Sequence, residues 1–195
     1  MHIDLLSISA HKIYGPKGIG ALYVRSKNPE VNLKPIAFGG LQEKGLRPGT
    51  LNVPGIVGLG TAAQLAHNLL SEESQRLTQW RDQIINQVLS SVSSARLNGH
   101  PSKRLCNNIS FSFNNLNADV FALGLSGLAL SSGSACTSES ARPSHVLLAL
   151  GHDEALARAT LRIGLGRMTT PEDVNVVVDK IVKMAQKNLS SMVLN

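Results

Sequence analysis

The chain has 195 residues, of which 43% are hydrophobic and 16% charged, a balance typical of globular and not of disordered proteins. No apolar run approaches the roughly 20 residues that a membrane-spanning helix needs, and the N-terminal residues do not resemble a signal peptide, so the sequence predicts a soluble protein. The net charge of +6 would suit nucleic acid, but the basic residues are scattered and only four Phe, two Tyr and one Trp are present. We therefore expect no direct binding of nucleic acid, since an acidic protein or an anionic cofactor explains the charge as well.

The predicted elements begin with two short strands, Leu5–Ser9 and Ile19–Val24, which a turn rich in Gly and Pro separates. We expect the first strand to be buried and parallel to its neighbours. Such a strand needs a neighbour on each side and no element precedes it, so the N-terminus looks like a cut edge. An irregular, glycine-rich stretch follows over residues 35–55, and long loops of this kind are usually functional.

Two helices are expected next, the first starting at Val53 and the second carrying apolar residues at a period near 3.6 up to Val92. The segment Asn-Gly-His-Pro at residues 98–101 ends this pattern. We place a domain boundary on these helices, at roughly residue 70.

The rest of the chain is predicted to alternate between strand and helix, as in an α/β fold. At its end, Thr170 is the expected N-cap of a helix with Pro171 in its first turn and an apolar face formed by Val174, Val177, Val178 and Ile181. The other expected elements are strands at Asn108–Phe113, Leu128–Leu130 and Thr160–Gly164, helices at Ala118–Leu125 and Pro143–Leu150, and a Ser-rich loop at Ser131–Ala141.

Ser9, His11 and Lys12 place a hydroxyl, an imidazole and an amine at the carboxyl end of the first strand, where open α/β sheets bind their ligands. A lysine that is desolvated at such a site has a lowered pKa and can react with a carbonyl group. Lys17, in the same turn, is the competing lysine. From these residues alone, an ordinary surface loop with solvated lysines remains the alternative.

Two other segments combine arginine with glycine. The loop at residues 38–50 holds Arg47 and Thr50 and can offer backbone N–H groups to an anion, or it is a plain connection. Arg162 lies in the predicted strand Thr160–Gly164, where a guanidinium can bind a carboxylate through two parallel hydrogen bonds or form a surface salt bridge. Arg167, just beyond this strand, suggests a structural role.

The two cysteines, Cys106 and Cys136, form no CxxC pair, which fits a reducing, cytoplasmic environment. Cys136 lies among hydroxyl side chains in the Ser-rich loop, and this setting favours a reactive thiol over a structural one. Cys106 precedes a strand and is expected to be partly packed. The six histidines form no compact set, so we expect no metal site.

Three motifs resemble those of one enzyme family. The segment SISAHKIYGPKGIGALYVR is similar to the cofactor-lysine segment of the cysteine desulfurases, which belong to the class-V aminotransferase-like group of fold-type I pyridoxal-phosphate enzymes. The resemblance implies that Lys12 holds pyridoxal 5'-phosphate covalently and that Ser9 and His11 contact its phosphate. The loop at residues 39–50 resembles the family's GGxQExGxRxGT segment, which implies an obligate homodimer in which Thr50 contacts the phosphate of the partner's cofactor and Arg47 shapes the entrance.

The loop SSGSACTSES resembles that of desulfurases that act with iron–sulfur scaffold proteins, which implies that Cys136 takes the sulfur of L-cysteine as a persulfide. By the same likeness Arg162 binds the substrate's α-carboxylate, and the sulfur passes to an iron–sulfur scaffold or a tRNA-thiolation relay. The implied α/β architecture is the C-terminal part of the large cofactor domain, residues 1–70, followed by a connecting helix and the small C-terminal domain, residues 71–195.

The resemblance covers only the family's C-terminal half, so the residues that hold the pyridine nitrogen, stack on the ring and form the main phosphate loop are missing. We therefore expect the isolated chain to be inactive without its N-terminal half. Two alternatives stay open. One is a non-enzymatic fragment that serves in dimerisation or scaffold docking, and the other is selenocysteine lyase activity on the same scaffold.

Overall fold

The computed structural model describes residues 2–114, 116, 125, 127–128 and 143–193, with side chains described as far as residue 187. The chain divides into two compact units, Met1–Ser71 and Glu72–Asn195. The predicted helix at Ala118–Leu125, the strand at Leu128–Leu130 and the loop at Ser131–Ala141 lie almost entirely outside the described residues. No helix in the described ranges is long and apolar enough to cross a membrane.

The first unit contains a two-stranded sheet of β1 (Leu5–Ser9) and β2 (Gly20–Val24). Both predicted strands are present, but the expectation of a buried, parallel β1 is wrong. The strands run antiparallel from the pair Leu5 and Val24 to the pair Ser9 and Gly20, and every residue of β1 is exposed. The connecting turn is too short for the crossover that a parallel pair requires, and an apolar composition does not by itself determine that a strand is buried.

A single helix, α1 (Val53–Ser91), replaces the two helices expected from the sequence. Its start is fixed by Asn52, whose Oδ1 accepts a hydrogen bond from the Gly55 N–H at 3.1 Å. The polar residues at positions 71–75 interrupt the apolar period, but none of them is Pro or Gly, so the helix continues through them.

The second unit contains an antiparallel sheet in the order β3–β4–β5, formed by Ala95–Leu97, Asn108–Phe113 and Thr160–Gly164. Strands β4 and β5 have the predicted bounds. Strand β3 was not predicted, because three residues are too few to display an alternating pattern. Its pairing with β4, for example Leu97 with Phe111, makes β4 the central strand.

Three helices follow the part of the chain that is not described. Helix α2 (His145–Ala149) is shorter than the helix predicted at Pro143–Leu150, although Gly151 follows it in a left-handed conformation at φ 87°, as is common for a residue that ends a helix. Helix α3 (Glu154–Arg158) was not predicted, and Asp153 caps it by accepting the Leu156 N–H at 2.8 Å.

The last helix, α4 (Pro171–Val193), starts as predicted. Thr170 Oγ1 accepts a hydrogen bond from the Asp173 N–H at 3.2 Å, and the Asp173 carboxylate accepts the Thr170 N–H at 2.9 Å. This reciprocal pair satisfies N–H groups that the first turn leaves open. The residues of the predicted apolar face are buried, except for Val178, which is partly buried.

One face of the second sheet forms the core of this unit. Ile109, Phe111 and Phe113 alternate along β4 and are at most 1% exposed. They belong to one cluster with apolar residues of α1, β5 and α4, and this cluster is the main source of stability of the unit. Its helical members include Ile84, Val88, Val174, Val177 and Ile181.

Two arginines hold the loop after β3, Arg81 from α1 and Arg104 from within the loop. Arg81 is buried, forms an ion pair with Asp82 at 2.7 Å and donates to the Leu105 carbonyl at 3.3 Å. Arg104 donates to the Asn98 carbonyl. Burial lowers the pKa of Arg104, and the positive charge of Arg81 lowers it further. These contacts hold Asn98 and the loop that follows it in a fixed position.

Candidate active site

A short 3-10 turn, Ala10–Lys12, follows β1 directly. Ala10 is fully buried, its N–H donates to the Ile19 carbonyl at 3.1 Å, and its own carbonyl accepts the N–H groups of Ile13 at 3.0 Å and Gly15 at 2.9 Å. The side chains on either side of Ala10, those of Ser9, His11 and Lys12, are exposed. The buried alanine therefore anchors a turn that carries all its polar side chains on the outside.

The chemistry of these three side chains suits a phosphorylated aldehyde. The Lys12 amine can form a covalent bond with an aldehyde, while the Ser9 hydroxyl and the His11 imidazole can donate hydrogen bonds to a phosphate. Ser9 occupies the N-cap position of the turn, yet within the described part of the chain its side chain makes no capping hydrogen bond. Its hydroxyl is therefore available to a ligand.

The loop that carries Arg47 and Thr50 is held by its own hydrogen bonds. Arg47 donates to the carbonyls of Gly49 at 2.9 Å and Thr50 at 3.1 Å, and the Gly49 N–H donates to Gln42 Oε1 at 3.1 Å. Arg47 thus fixes the backbone at Thr50. Among the residues that the structure describes, no hydrogen bond joins Thr50 to the Lys12 turn.

Arg162 lies in β5 of the second unit, between the buried residues Leu161 and Ile163. Because side chains alternate along a strand, Arg162 is on the face of the sheet opposite the core and is exposed. Its cross-strand partner is Ser110, whose hydroxyl accepts a hydrogen bond from Asn98 Nδ2 at 3.0 Å.

A polar network covers this same face of the sheet. Ser112, fully buried, lies 2.6 Å from the Thr160 hydroxyl and 2.8 Å from Asn98 Nδ2. Asn98 Oδ1 also lies 2.8 Å from His152 Nε2, and the Thr160 hydroxyl donates to the Leu156 carbonyl at 2.9 Å. This network was not predicted from the sequence. In the sequence, the only sign of the network is the alternation of serines with apolar residues in β4. This alternation does not indicate which residues bond to the two serines.

We expect Asn98→Ala to lower the free energy of unfolding by about 2 kcal/mol, because it leaves the buried Ser112 hydroxyl with fewer hydrogen bonds. Urea denaturation of the chain measures this value. Asn107→Ala is the matched control, since its side chain is exposed, and it should change the free energy of unfolding by less than about 0.5 kcal/mol. Equal effects of the two substitutions would contradict a stabilising role for the network.

Several known proteins are similar to this chain. The sequence model of the family Aminotransferase class-V matches residues 1–177. This chain belongs to the class-V aminotransferase family. Among its relatives, the protein named cysteine desulfurase IscS of Rickettsia bellii is 46% identical over 95% of this chain and 45% of its own length, and that of Ehrlichia chaffeensis is 43% identical over 96% and 46%. The expected relationship to cysteine desulfurases is confirmed.

Solved structures agree with this family assignment. A NifS-like protein from Rickettsia africae superimposes on this class-V aminotransferase chain with a TM-score of 0.81 at 28% identity. The match covers 94% of this chain and 48% of the Rickettsia africae chain. Another NifS-like protein has a TM-score of 0.80 at 33% identity, covering 95% and 47%. The predicted α/β fold is therefore confirmed. The chain spans about half the length of the proteins it matches.

The other predicted site features of this class-V aminotransferase concern its cysteines and metals. Cys136 lies outside the described residues. Cys106 is a free thiol that is partly buried and packs against the core of the second unit, as expected. Within the described ranges, no group of three or more His, Cys, Asp or Glu side chains is arranged to hold a metal ion.

Proposed function

We propose that this chain is the C-terminal part of a pyridoxal-phosphate-dependent cysteine desulfurase that converts L-cysteine to alanine and a persulfide on Cys136. The observation that carries the proposal is the Lys12 turn, in which buried Ala10 presents an amine, an imidazole and a hydroxyl outward. Its support is the 46% identity to a protein named cysteine desulfurase. The proposed acceptor of the sulfur is an iron–sulfur scaffold or a tRNA-thiolation relay.

Each predicted site residue has a distinct role in this proposal. The bound pyridoxal phosphate would stabilise negative charge at the substrate's Cα. The Lys12 amine holds the cofactor and moves a proton to and from that carbon. Ser9 and His11 bind the phosphate, and Thr50 completes the phosphate site of a second copy in a homodimer. Arg162 binds the substrate carboxylate through two hydrogen bonds.

Cys136 is the proposed sulfur acceptor. Its thiolate attacks the sulfur of the substrate, a sulfur–sulfur bond forms, and the carbon–sulfur bond breaks. The electron pair of the broken bond stays with the substrate carbon, which takes up a proton and leaves as alanine. Because the thiol receives the sulfur and then passes it on, the reaction requires Cys136 to reach both the substrate and the external acceptor.

The proposal includes a requirement for additional chain. The first unit exposes large apolar side chains in the loop before Arg47, with Ile36 97%, Phe38 86% and Leu41 88% exposed. Surface of this kind marks protein–protein contact. The chain spans about 45% of its relatives' length, so we propose that it acts together with a polypeptide equivalent to the part that it does not cover. In this proposal, two copies of the combined protein form the homodimer.

Co-expression tests this function. The chain is purified together with the part of the Rickettsia bellii relative that it does not cover, and alanine release from L-cysteine is measured alongside transfer of labelled sulfur to Cys136. The combined protein should release alanine, and the chain alone should not. Alanine release by the chain alone would refute the need for a second part. No release by the combined protein would favour a docking fragment, and a preference for selenocysteine would favour the lyase.

In the combined protein, we expect Arg162→Lys to raise the KM for L-cysteine about tenfold, because lysine cannot form the two parallel hydrogen bonds to a carboxylate. The kcat should change much less. Arg158→Lys is the matched control, since Arg158 is exposed and the substitution keeps the positive charge of its 3.9 Å ion pair with Glu154. An unchanged KM in Arg162→Lys would exclude Arg162 as the carboxylate-binding residue.

A further inference from the structure

We propose that Gly58 and Ala62 of α1 are positioning residues for Lys12, because the turn that carries this lysine packs closely against the helix at these two places. The inference rests on the proposed function in taking Lys12 as the lysine that holds the cofactor. It adds a requirement on the helix that the family motif around Lys12 does not contain.

The contacts are close. A Cβ atom built on Gly58 would lie 2.5 Å from Cγ and 2.9 Å from Cδ of Pro16, distances that real Cβ atoms do not adopt. A Cβ atom built on Gly15 would lie 3.2 Å from the Ala62 Cβ and 3.0 Å from the Ala10 Cβ. Ala62 is itself buried. The segment 15–16 therefore fits against α1 only because Gly15 and Gly58 have no side chain.

Hydrogen bonds connect this contact to Lys12. The Ala10 carbonyl accepts the N–H groups of both Ile13 and Gly15, so the two bonds close the turn around Lys12. Pro16 cannot yield by rotation, because its ring fixes φ. Ala10 is fully buried and cannot shift outward without losing its contacts. A side chain at position 58 would therefore displace the turn and with it the Lys12 amine.

The requirement is specific to one side of the helix. Gly60 lies in the same helix, two residues from Gly58, and a Cβ atom built on it would have no atom within 4 Å. Both Gly58→Ala and Gly60→Ala favour the helical conformation to the same extent. Any difference between the two variants therefore comes from the contact with Pro16.

The first test uses the full chain without cofactor. Amide hydrogen exchange of Ile13 and Gly15 is followed by NMR, together with the labelling of Lys12 relative to Lys34 by an amine-reactive ester. Gly58→Ala should speed exchange at both amides about tenfold and change the labelling ratio, because overpacking disturbs a closely packed contact. Gly60→Ala should leave both readings at the wild-type value. Adding Pro16→Ala to Gly58→Ala removes the Cγ and Cδ atoms at position 16. The double variant should therefore restore the exchange rates and the labelling ratio to their wild-type values.

A second test separates this inference from the proposed function. In the combined protein, borohydride trapping of pyridoxal phosphate on Lys12 should fall about tenfold in Gly58→Ala and recover in the double variant. Exchange and labelling that match wild type in Gly58→Ala would overturn the inference, as would altered exchange with unchanged trapping. If wild-type protein traps no cofactor on Lys12, the proposed function fails, while exchange and labelling still decide whether Gly58 positions the amine.

Discussion

We expect Lys12→Ala to abolish cofactor attachment and to lower alanine release in the combined protein by at least about a hundredfold, because the substitution removes the proposed covalent anchor and the proposed proton-transfer group together. Lys12 is exposed and lies two residues after buried Ala10, which anchors the turn, so the removal of its side chain leaves the turn itself intact. The measurement is the visible absorbance of the protein with added pyridoxal phosphate, followed by borohydride reduction and peptide mapping.

Lys17→Ala is the control for this result. Lys17 lies in the same connection between β1 and β2 and is also exposed, but it is beyond Ile13 and Gly15, whose hydrogen bonds close the turn around Lys12. Attachment and alanine release should stay close to wild type. A label that moves to Lys17, or that spreads over many lysines, would show that the turn does not select Lys12 and would remove the main support for the proposed function.

Phe111→Ala is expected to lower the free energy of unfolding by about 3–5 kcal/mol, which is a large part of the stability of a domain. Phe111 is fully buried at the centre of the second sheet, pairs with Leu97 on one side and Leu161 on the other, and lies 6.2 Å from the Phe113 ring. Its removal leaves a cavity that three strands and two helices border. Denaturation in urea, followed by circular dichroism, gives the free energy of unfolding.

Leu105→Ala serves as the matched apolar control for the core. Leu105 is 70% exposed, so its truncation creates no buried cavity and should change the free energy of unfolding by less than about 0.5 kcal/mol. If Phe111→Ala cost no more than Leu105→Ala, the cluster around β4 would not be the core of the second unit.

The sequence predicted best those elements whose signals are local. Strand β5 and the start of α4 follow from a short apolar run and from a Thr-Pro-Glu-Asp cap, and the structure has both at the predicted residues. Helix α1 was predicted in two pieces, because the apolar period changes at residues 71–75 and such a change resembles a helix end, although these five positions contain neither Pro nor Gly. The direction and exposure of β1 could not be predicted, since both depend on the elements around a strand and not on its own residues.

The same distinction holds for the candidate site. Ser9, His11 and Lys12 are close in sequence, so one turn brings them together. The exposure of Arg162 follows from strand alternation, which the sequence displays. The Asn98 network joins three segments that are far apart along the chain, and no spacing rule relates them. The contact between Gly58 and Pro16 was likewise invisible, because a glycine in a helix indicates only a cost in helix propensity.

The polar network on the second sheet has a consequence for how relatives diverge. One face of β4 contributes to the hydrophobic cluster, while the other satisfies hydrogen bonds through Ser110 and Ser112. Within the described residues, α2 and α3 contribute no side chain to this cluster, and His152 between them contacts Asn98 of the polar network instead. We expect the exposed positions of α2 and α3 to vary among relatives at a small cost in stability, whereas packing constrains the core-side residues of β4, β5 and α4.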